Sequence, residues 1–187
     1  MSKHRYVVLL VAILSGCASP AAIDQMTAKN IAPSKISAET PLKNNLSVKN
    51  VSGGQATNPM WLSKVGDDNF KQALEQSLKT ALLLAPDANK SAYLLDVKLV
   101  SLEQPVAGLD LKVTATVEYS LQEKLTGEKV FTKTITTPFT ATFGDAALAF
   151  VRLKIANEGA IRENIEKIID ELLALNISKQ QVSVNGQ

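Results

Sequence analysis

The chain is 187 residues long, 45% hydrophobic and 5% aromatic, with 20 Lys and Arg against 18 Asp and Glu. That length allows one domain plus a tether, and nothing in so even a charge balance suggests a nucleic-acid surface, which would show clustered Lys and Arg. A single Cys and a single His, Cys17 and His4, exclude an internal disulfide and leave little for metal or triad chemistry.

The chain opens on Lys3, His4 and Arg5, followed by an apolar run from Tyr6 to Leu14. About nine apolar residues fall short of the roughly twenty that span a bilayer, and they suit a secretory signal. The run ends in Leu14-Ser15-Gly16-Cys17, which resembles the bacterial lipoprotein signal. That resemblance implies cleavage before Cys17 and acylation of its thiol. Residues 1–16 would be the signal peptide, 17–45 the lipidated Cys and a flexible tether, 46–177 a periplasmic domain and 178–187 a disordered tail. Ala18 stands where lipoproteins kept at the inner membrane often carry Asp, so the resemblance favours the periplasmic face of the outer membrane. One acyl chain alone binds a membrane marginally, whereas several attach it for good.

Removing the leader takes Lys3 and Arg5 from the 20 basic residues and leaves 18 against 18 acids. His4 goes with it. A mature chain with no His and no free Cys excludes a Ser-His-Asp triad, a Cys-His pair and a His-based zinc site. The chain also lacks a phosphate loop, a dinucleotide fingerprint and a Ser-x-x-Lys motif. No cofactor or metal is implied. A carboxylate-dependent hydrolase of cell-wall or glycan material stays formally open.

Residues 18 to about 45 mix Pro20, Pro33 and Pro41 with Ala, Ser, Thr, Asn and Lys, which reads as tether with a helical turn near Ile23–Ala32. As a coil it would span roughly 30 Å. Leu46 to Val51 alternates as a strand and breaks at Ser52-Gly53-Gly54, where a bulge or turn needs positive φ. Thr57-Asn58-Pro59-Met60-Trp61 follows; the lone Trp61 is either a plug on the core edge or a ligand platform. Asp67 or Asp68 caps the next helix, in which Phe70, Ala73, Leu74, Ser77, Leu78, Ala81 and Leu82 form one stripe. Pro86 ends it.

Tyr93, Leu95, Val97 and Leu99 form the apolar face of a second strand, and Gln104-Pro105 with Gly108 connects it to a third. There Leu109, Leu111, Val113, Ala115, Val117, Tyr119 and Leu121 alternate with polar residues, one face on a core and one in water. A Thr126-Gly127-Glu128 turn makes a hairpin with a fourth strand. Phe131, Ile135 and Phe139 take one of its faces and Thr132, Thr134 and Thr136 the other. Pro138 makes this an edge strand or ends it. From Asp145 a helical period runs through Leu148, Val151, Ile155, Ile161, Ile165, Ile168, Leu172 and Leu175, with Gly159 marking a kink or a close contact.

The order β-α-β-β-β-α, with one wet sheet face and two one-sided helices, predicts an α+β two-layer sandwich. Its mostly antiparallel four-stranded sheet would carry both helices on one face. The same order resembles the lipoproteins that plug the lipopolysaccharide-export barrel of the outer membrane. Separately, Thr57-Asn58-Pro59-Met60-Trp61 and the stretch from Arg152 to Ile165 resemble an uncharacterised proteobacterial lipoprotein family. That family resemblance implies no activity; the address, the architecture and the excluded catalytic motifs together point to a non-enzymatic accessory or binding module in envelope assembly or transport, with an envelope protein or a lipid-like molecule as partner. Arg152, Asn157, Glu158, Arg162 and Asn164 crowd one segment around a glycine and are the candidate partner-binding residues, with Trp61 beside them. The plainer alternative makes them helix-surface pairs or caps of the sheet edge. The Thr-rich edge strand is either a strand-addition surface or a protected edge. Carriage of a lipid between sheet and helices would instead need a sizeable apolar cavity.

Overall fold

A computed structural model describes residues 19–31, 40–57 and 63–175. It is an α+β sandwich of a four-stranded mixed sheet with helices packed on it. A short α1 (Ile23–Met26) precedes β1 (Leu46–Ser52), α2 (Asp67–Thr80), β2 (Tyr93–Glu103), β3 (Leu111–Glu123), β4 (Lys129–Ala141) and a long α3 (Ala149–Ala174). Spatial order follows chain order. β1 runs parallel to β2, with α2 as the crossover, and the later pairs are antiparallel.

The alternation predicted for β3 holds. Leu111, Val113, Ala115, Val117, Tyr119 and Leu121 are buried, and Lys112 and Glu118 are exposed. In β2 the register slips between Leu99 and Ser101, a one-residue bulge at Val100. Val100 keeps the outward phase of the strand, and beyond it the extra residue reverses the phase, so Leu102 turns to the core. Gly53, at φ +88°, closes β1 directly against the Leu99 backbone, where a Cβ would collide with the carbonyl oxygen. β4 is an edge strand and continues through Pro138, whose missing N–H costs nothing on an unpaired edge.

Three helix boundaries differ from expectation. The N-cap of α2 is Gly66, without a side-chain cap, because Asp67 Oδ1 instead accepts the Gly54 N–H at 2.7 Å. The same helix stops six residues before Pro86. Leu82 adopts φ +57°, Leu82 N–H bonds Lys79 O at 3.1 Å and Leu83 N–H bonds Leu78 O at 2.9 Å, a Schellman closure. The contact that accompanies this motif buries Leu83 and Leu78 and leaves Leu82 outside. α3 begins at Ala149 and not Asp145, whose carboxylate closes a turn on the Thr142 N–H and hydroxyl.

The stripe of α3 also differs in its first half. Leu153, Ala156, Ala160 and Ile161 face the sheet, while Val151 and Ile155 are only partly covered and Leu148 is exposed. Small side chains at 156 and 160 bring the helix close to the sheet, and at Gly159 a Cβ would overlap the Phe139 ring.

The largest departure concerns residues 19–31 and 40–45, which read as tether from their Pro and polar content. Ala21, Met26 and Leu42 are fully buried. The segment lies against α2 and α3, and its backbone donors are met by their side chains. Ala22 N–H goes to Glu158 (2.7 Å), Ala28 N–H to Ser77 (2.9 Å), and Lys29 and Asn30 N–H to Glu166 (2.9 and 3.1 Å). Single apolar residues spaced among a one-turn helix, turns and irregular chain give no periodicity, so the sequence reads them as solvent-exposed. The expected signal peptide and Cys17, the loop carrying Trp61 and the 178–187 tail lie outside the described residues.

Gly159→Ala tests the helix–sheet approach. Ala is better than Gly in a helix by about 1 kcal/mol, but the added methyl must displace the Phe139 ring, and overpacking of this kind costs about 1–3 kcal/mol. A net loss of melting temperature is expected, reversed when Phe139 is shortened to Leu in the same chain. A stabilised Gly159→Ala would refute the contact.

Candidate functional site

The polar segment of α3 is mostly buried: Arg152, Asn157, Glu158 and Asn164 are 0–5% exposed, and Arg162 is half-buried. A buried polar group needs partners, and each of these finds them inside the chain. Arg152 Nη1 donates to the carbonyls of Ala146 and Ala147 at 2.7 and 2.8 Å, beneath the Phe143 ring, and bonds the β4–α3 connection to the helix start. Its Nε is buried with no partner among the described residues. Asn157 Nδ2 donates to Ser63 O (2.9 Å) and its Oδ1 accepts from Gln104 Nε2 (2.8 Å); Gln104 Oε1 in turn takes Lys64 Nζ (2.8 Å).

Asn164 makes the densest set. Its Nδ2 reaches Ile135 O and Thr137 Oγ1, each at 2.9 Å, and its Oδ1 accepts the Tyr119 hydroxyl at 2.8 Å. The Thr137 hydroxyl in turn donates a hydrogen bond to Ala160 O at 2.8 Å. Burial pushes the Tyr119 hydroxyl far above the usual tyrosine range, so it stays a donor.

Glu158 does not sit on a solvated face paired with Arg162, as the sequence spacing suggests. Its Oε1 accepts the Ala22 N–H and lies 3.7 Å from Lys154 Nζ. Desolvation raises its pKa, and the Ala22 N–H and the Lys154 and Arg162 charges only partly offset this. Arg162 itself reaches over Phe139 to donate to Gln25 O at 2.7 Å. The five residues therefore do not converge on one opening. They are spread along α3 and tie it to the leading segment, the Ser63–Gln104 corner and the sheet.

A second constellation was not singled out in the sequence. α2 and α3 both start at the end of the sandwich where β1, β2 and β4 finish and β3 begins. The leading segment joins here too, with Ala21 N–H on Lys64 O at 3.2 Å and Asn69 Nδ2 on Ala21 O at 2.9 Å. At this end Val106, Leu109, Phe143, Leu148 and Phe150 are all exposed. The β2–β3 loop and the first turns of α3 enclose an open groove of about 330 Å³ between them, lined by Pro105, Val106, Leu111, Phe150 and Leu153 among others. Alternation placed Leu109 inside, but β3 starts at Leu111; helical period placed Leu148 inside, but it is the N-cap. The usable signal was two large apolar residues flanking Gly108 in a connection.

Among the described residues no cluster of three or more His, Cys, Asp and Glu is placed to hold a metal ion, and no helix is long and apolar enough to cross a membrane. Between sheet and helices lie fully buried Tyr119, Phe70, Leu74, Ile161 and Ile165, a filled core where a carried lipid would need space.

Two substitutions separate the roles on α3. Asn164→Ala strands the Tyr119 hydroxyl and takes the amide from the Ile135 carbonyl, while Thr137 keeps its bond to Ala160 O; at about 1–3 kcal/mol for an unsatisfied group it should cost roughly 3 kcal/mol in chemical denaturation. Arg162→Ala loses one partly exposed bond and should cost about 1 kcal/mol; equal losses would show that Asn164 does not anchor the helix. Glu158 sets a pH dependence. Its folded pKa lies above the unfolded one, so between the two values the folded state binds more protons and stability falls as pH rises. Melting temperature should therefore decline with pH just above the ordinary carboxylate range, and Glu158→Gln, which keeps an acceptor for Ala22, should flatten that decline.

No family model matches the chain, and no curated protein matches it in sequence. Among solved structures it is similar to protein XCC0632 from Xanthomonas campestris, of the DUF330 family, with TM-score 0.58 and 15% identity over 83% of this chain and 95% of that one. A candidate lipoprotein from Caulobacter crescentus CB15 gives 0.50 and 14% over 75% and 91%. Hypothetical protein CT253 from Chlamydia trachomatis gives 0.50 and 8% over 72% and 99%. At these identities what is shared is the fold, spanning nearly the whole of each of those chains.

Proposed function

We propose that this protein is a lipid-anchored lipoprotein of the outer membrane whose α+β domain faces the periplasm. There it serves as a non-enzymatic binding module in envelope assembly or transport. The observation that carries this reading is the seating of the leading segment: the backbone is held by hydrogen bonds from Ala21 and Ala22 onward, four residues after Cys17. A chain anchored through Cys17 would thus pass at once into a folded body. Two supports stand beside it, the Leu14-Ser15-Gly16-Cys17 signal and the Caulobacter neighbour, described as a candidate lipoprotein.

The non-enzymatic part rests on chemistry. Removal of the leader takes His4 with it, and Glu158, a buried carboxylate with a raised pKa, spends its oxygen on a backbone N–H of the fold. The polar groups of Arg152, Asn157 and Asn164 are likewise committed to internal bonds. Arg162 is the member of the set with exposed surface, and a protein or lipid-like partner of this segment would meet it first.

Cys17→Ser tests the anchor. The variant should remain unprocessed or leave the outer-membrane fraction, while the native chain, isolated from envelope, carries the mass of its acyl groups. A processed Cys17→Ser chain that still sediments with outer membranes would overturn the reading.

A further inference from the structure

Large apolar side chains exposed together mark a surface meant to be covered. Val106 is 105% exposed, Leu109 74%, Leu148 57%, Phe143 56% and Phe150 37%. They come from the β2–β3 connection, the β4–α3 connection and, with Phe150, the first turn of α3, at one end of the sandwich. The other large apolar side chains exposed among the described residues are dispersed: Leu82 and Leu125 sit at the opposite end and Val100 on the outer face of β2.

The tips are braced. Asp110 Oδ1 accepts the Phe143 N–H at 3.0 Å and ties one connection to the other. Arg152 holds the carbonyls of Ala146 and Ala147 below the Phe143 ring, and Asp145 closes the turn on Thr142. Asp110, Asp145 and Arg152 are thus bonded to backbone partners and hold the apolar tips on an ordered frame, while Asp68, Glu103 and Lys112 are exposed at the same end.

What covers the rim follows from the chain length between Cys17 and the fold. From Cys17 to Ala21, whose N–H is bonded to Lys64 O, is four residues. Fully extended they reach no more than about 14 Å. The 13 residues of β3 alone extend roughly 43 Å from this end to the other. Acyl chains on Cys17 would therefore hold this end, and not the other, against the headgroups.

We propose that this end of the sandwich is a membrane-contact face, with Val106, Leu109, Phe143, Leu148 and Phe150 resting in the interface of the bilayer that holds Cys17. This rests on the acylation of Cys17 proposed above. The rim supplies a second apolar attachment beside the acyl chains and fixes the orientation of the domain, with the strands upright on the membrane.

The test uses the full acylated chain carrying one introduced cysteine, Val106→Cys, Leu148→Cys or Leu125→Cys. Each is labelled with a nitroxide and reconstituted into phosphatidylethanolamine–phosphatidylglycerol vesicles. All three positions are exposed, so the fold tolerates them. The labels at 106 and 148 should lose accessibility to an aqueous nickel chelate and gain accessibility to oxygen, and the label at 125 should stay aqueous. An acylated protein whose labels at 106 and 148 are as wet as that at 125 overturns the membrane face and leaves the anchor standing. Labels shielded in native envelope but wet in vesicles overturn it in favour of a protein partner. A chain whose intact mass shows no acyl group overturns the anchor, and the membrane face with it.

Discussion

The seating of α3 on the sheet is the constraint on which the other parts depend. A helix of 26 residues laid over an apolar sheet could slide by a turn at little hydrophobic cost, since one aliphatic row resembles the next. Asn164 removes that freedom. Its amide meets a carbonyl of β4, the hydroxyl of Thr137 and the phenol of Tyr119 on β3 together, and a shift of one turn would leave all of them buried and unpaired. Five residues earlier Gly159 presents bare backbone to the Phe139 ring, a fit that no neighbouring position of the helix offers. These contacts add less to net stability than the aliphatic burial around them, but they choose one arrangement among several of similar burial.

With α3 fixed, its side chains can receive the leading segment. Residues 22 to 30 run along it from Glu158 to Glu166, whose carboxylates accept backbone N–H groups that a free tether would give to water. Met26 and Ala21 add buried apolar surface. Glu158 is the expensive member, since burial disfavours its charged form and raises its pKa. Its compensation is a charge-assisted bond to Ala22 at the place where the chain first joins the domain.

Legibility in the sequence followed periodicity. β3 alternates cleanly because one face meets helices and the other water, so its burial could be read residue by residue. α2 showed its stripe, and the hairpin showed its Gly127, which takes φ +73°. Features without a period were misread. Ala21 and Met26 pack singly, one just before and one at the end of a single-turn helix too short to show a period; Leu82 turns the chain with positive φ, which Leu seldom adopts; Ala156 and Ala160 line a contact surface beside larger neighbours. The polar segment was found for a sound reason, crowding of amide and charged groups around a glycine, yet the same crowding serves a helix whose polar groups bond inward. The apolar rim was hidden because Leu109 and Leu148 each continued a valid pattern by one element too many.

The placement of the two edges follows from the same geometry. With the α3 start at the rim, β4 stands at one side of the sheet, open along its length. An open strand invites pairing with another copy. Here Lys129 and Lys133 are exposed on β4, with Lys133 held by Glu171 of α3, and Pro138 interrupts the row of donors. A second strand approaching this edge would have to desolvate Lys133 and meet no N–H at 138, so the edge is guarded at both its middle and its end. The outward Thr132, Thr134 and Thr136 add a polar face that buries poorly against itself. The exposed polar surface of the sheet is thereby kept from self-pairing, and the apolar surface that stays uncovered among the described residues is concentrated at the end where the chain joins the domain.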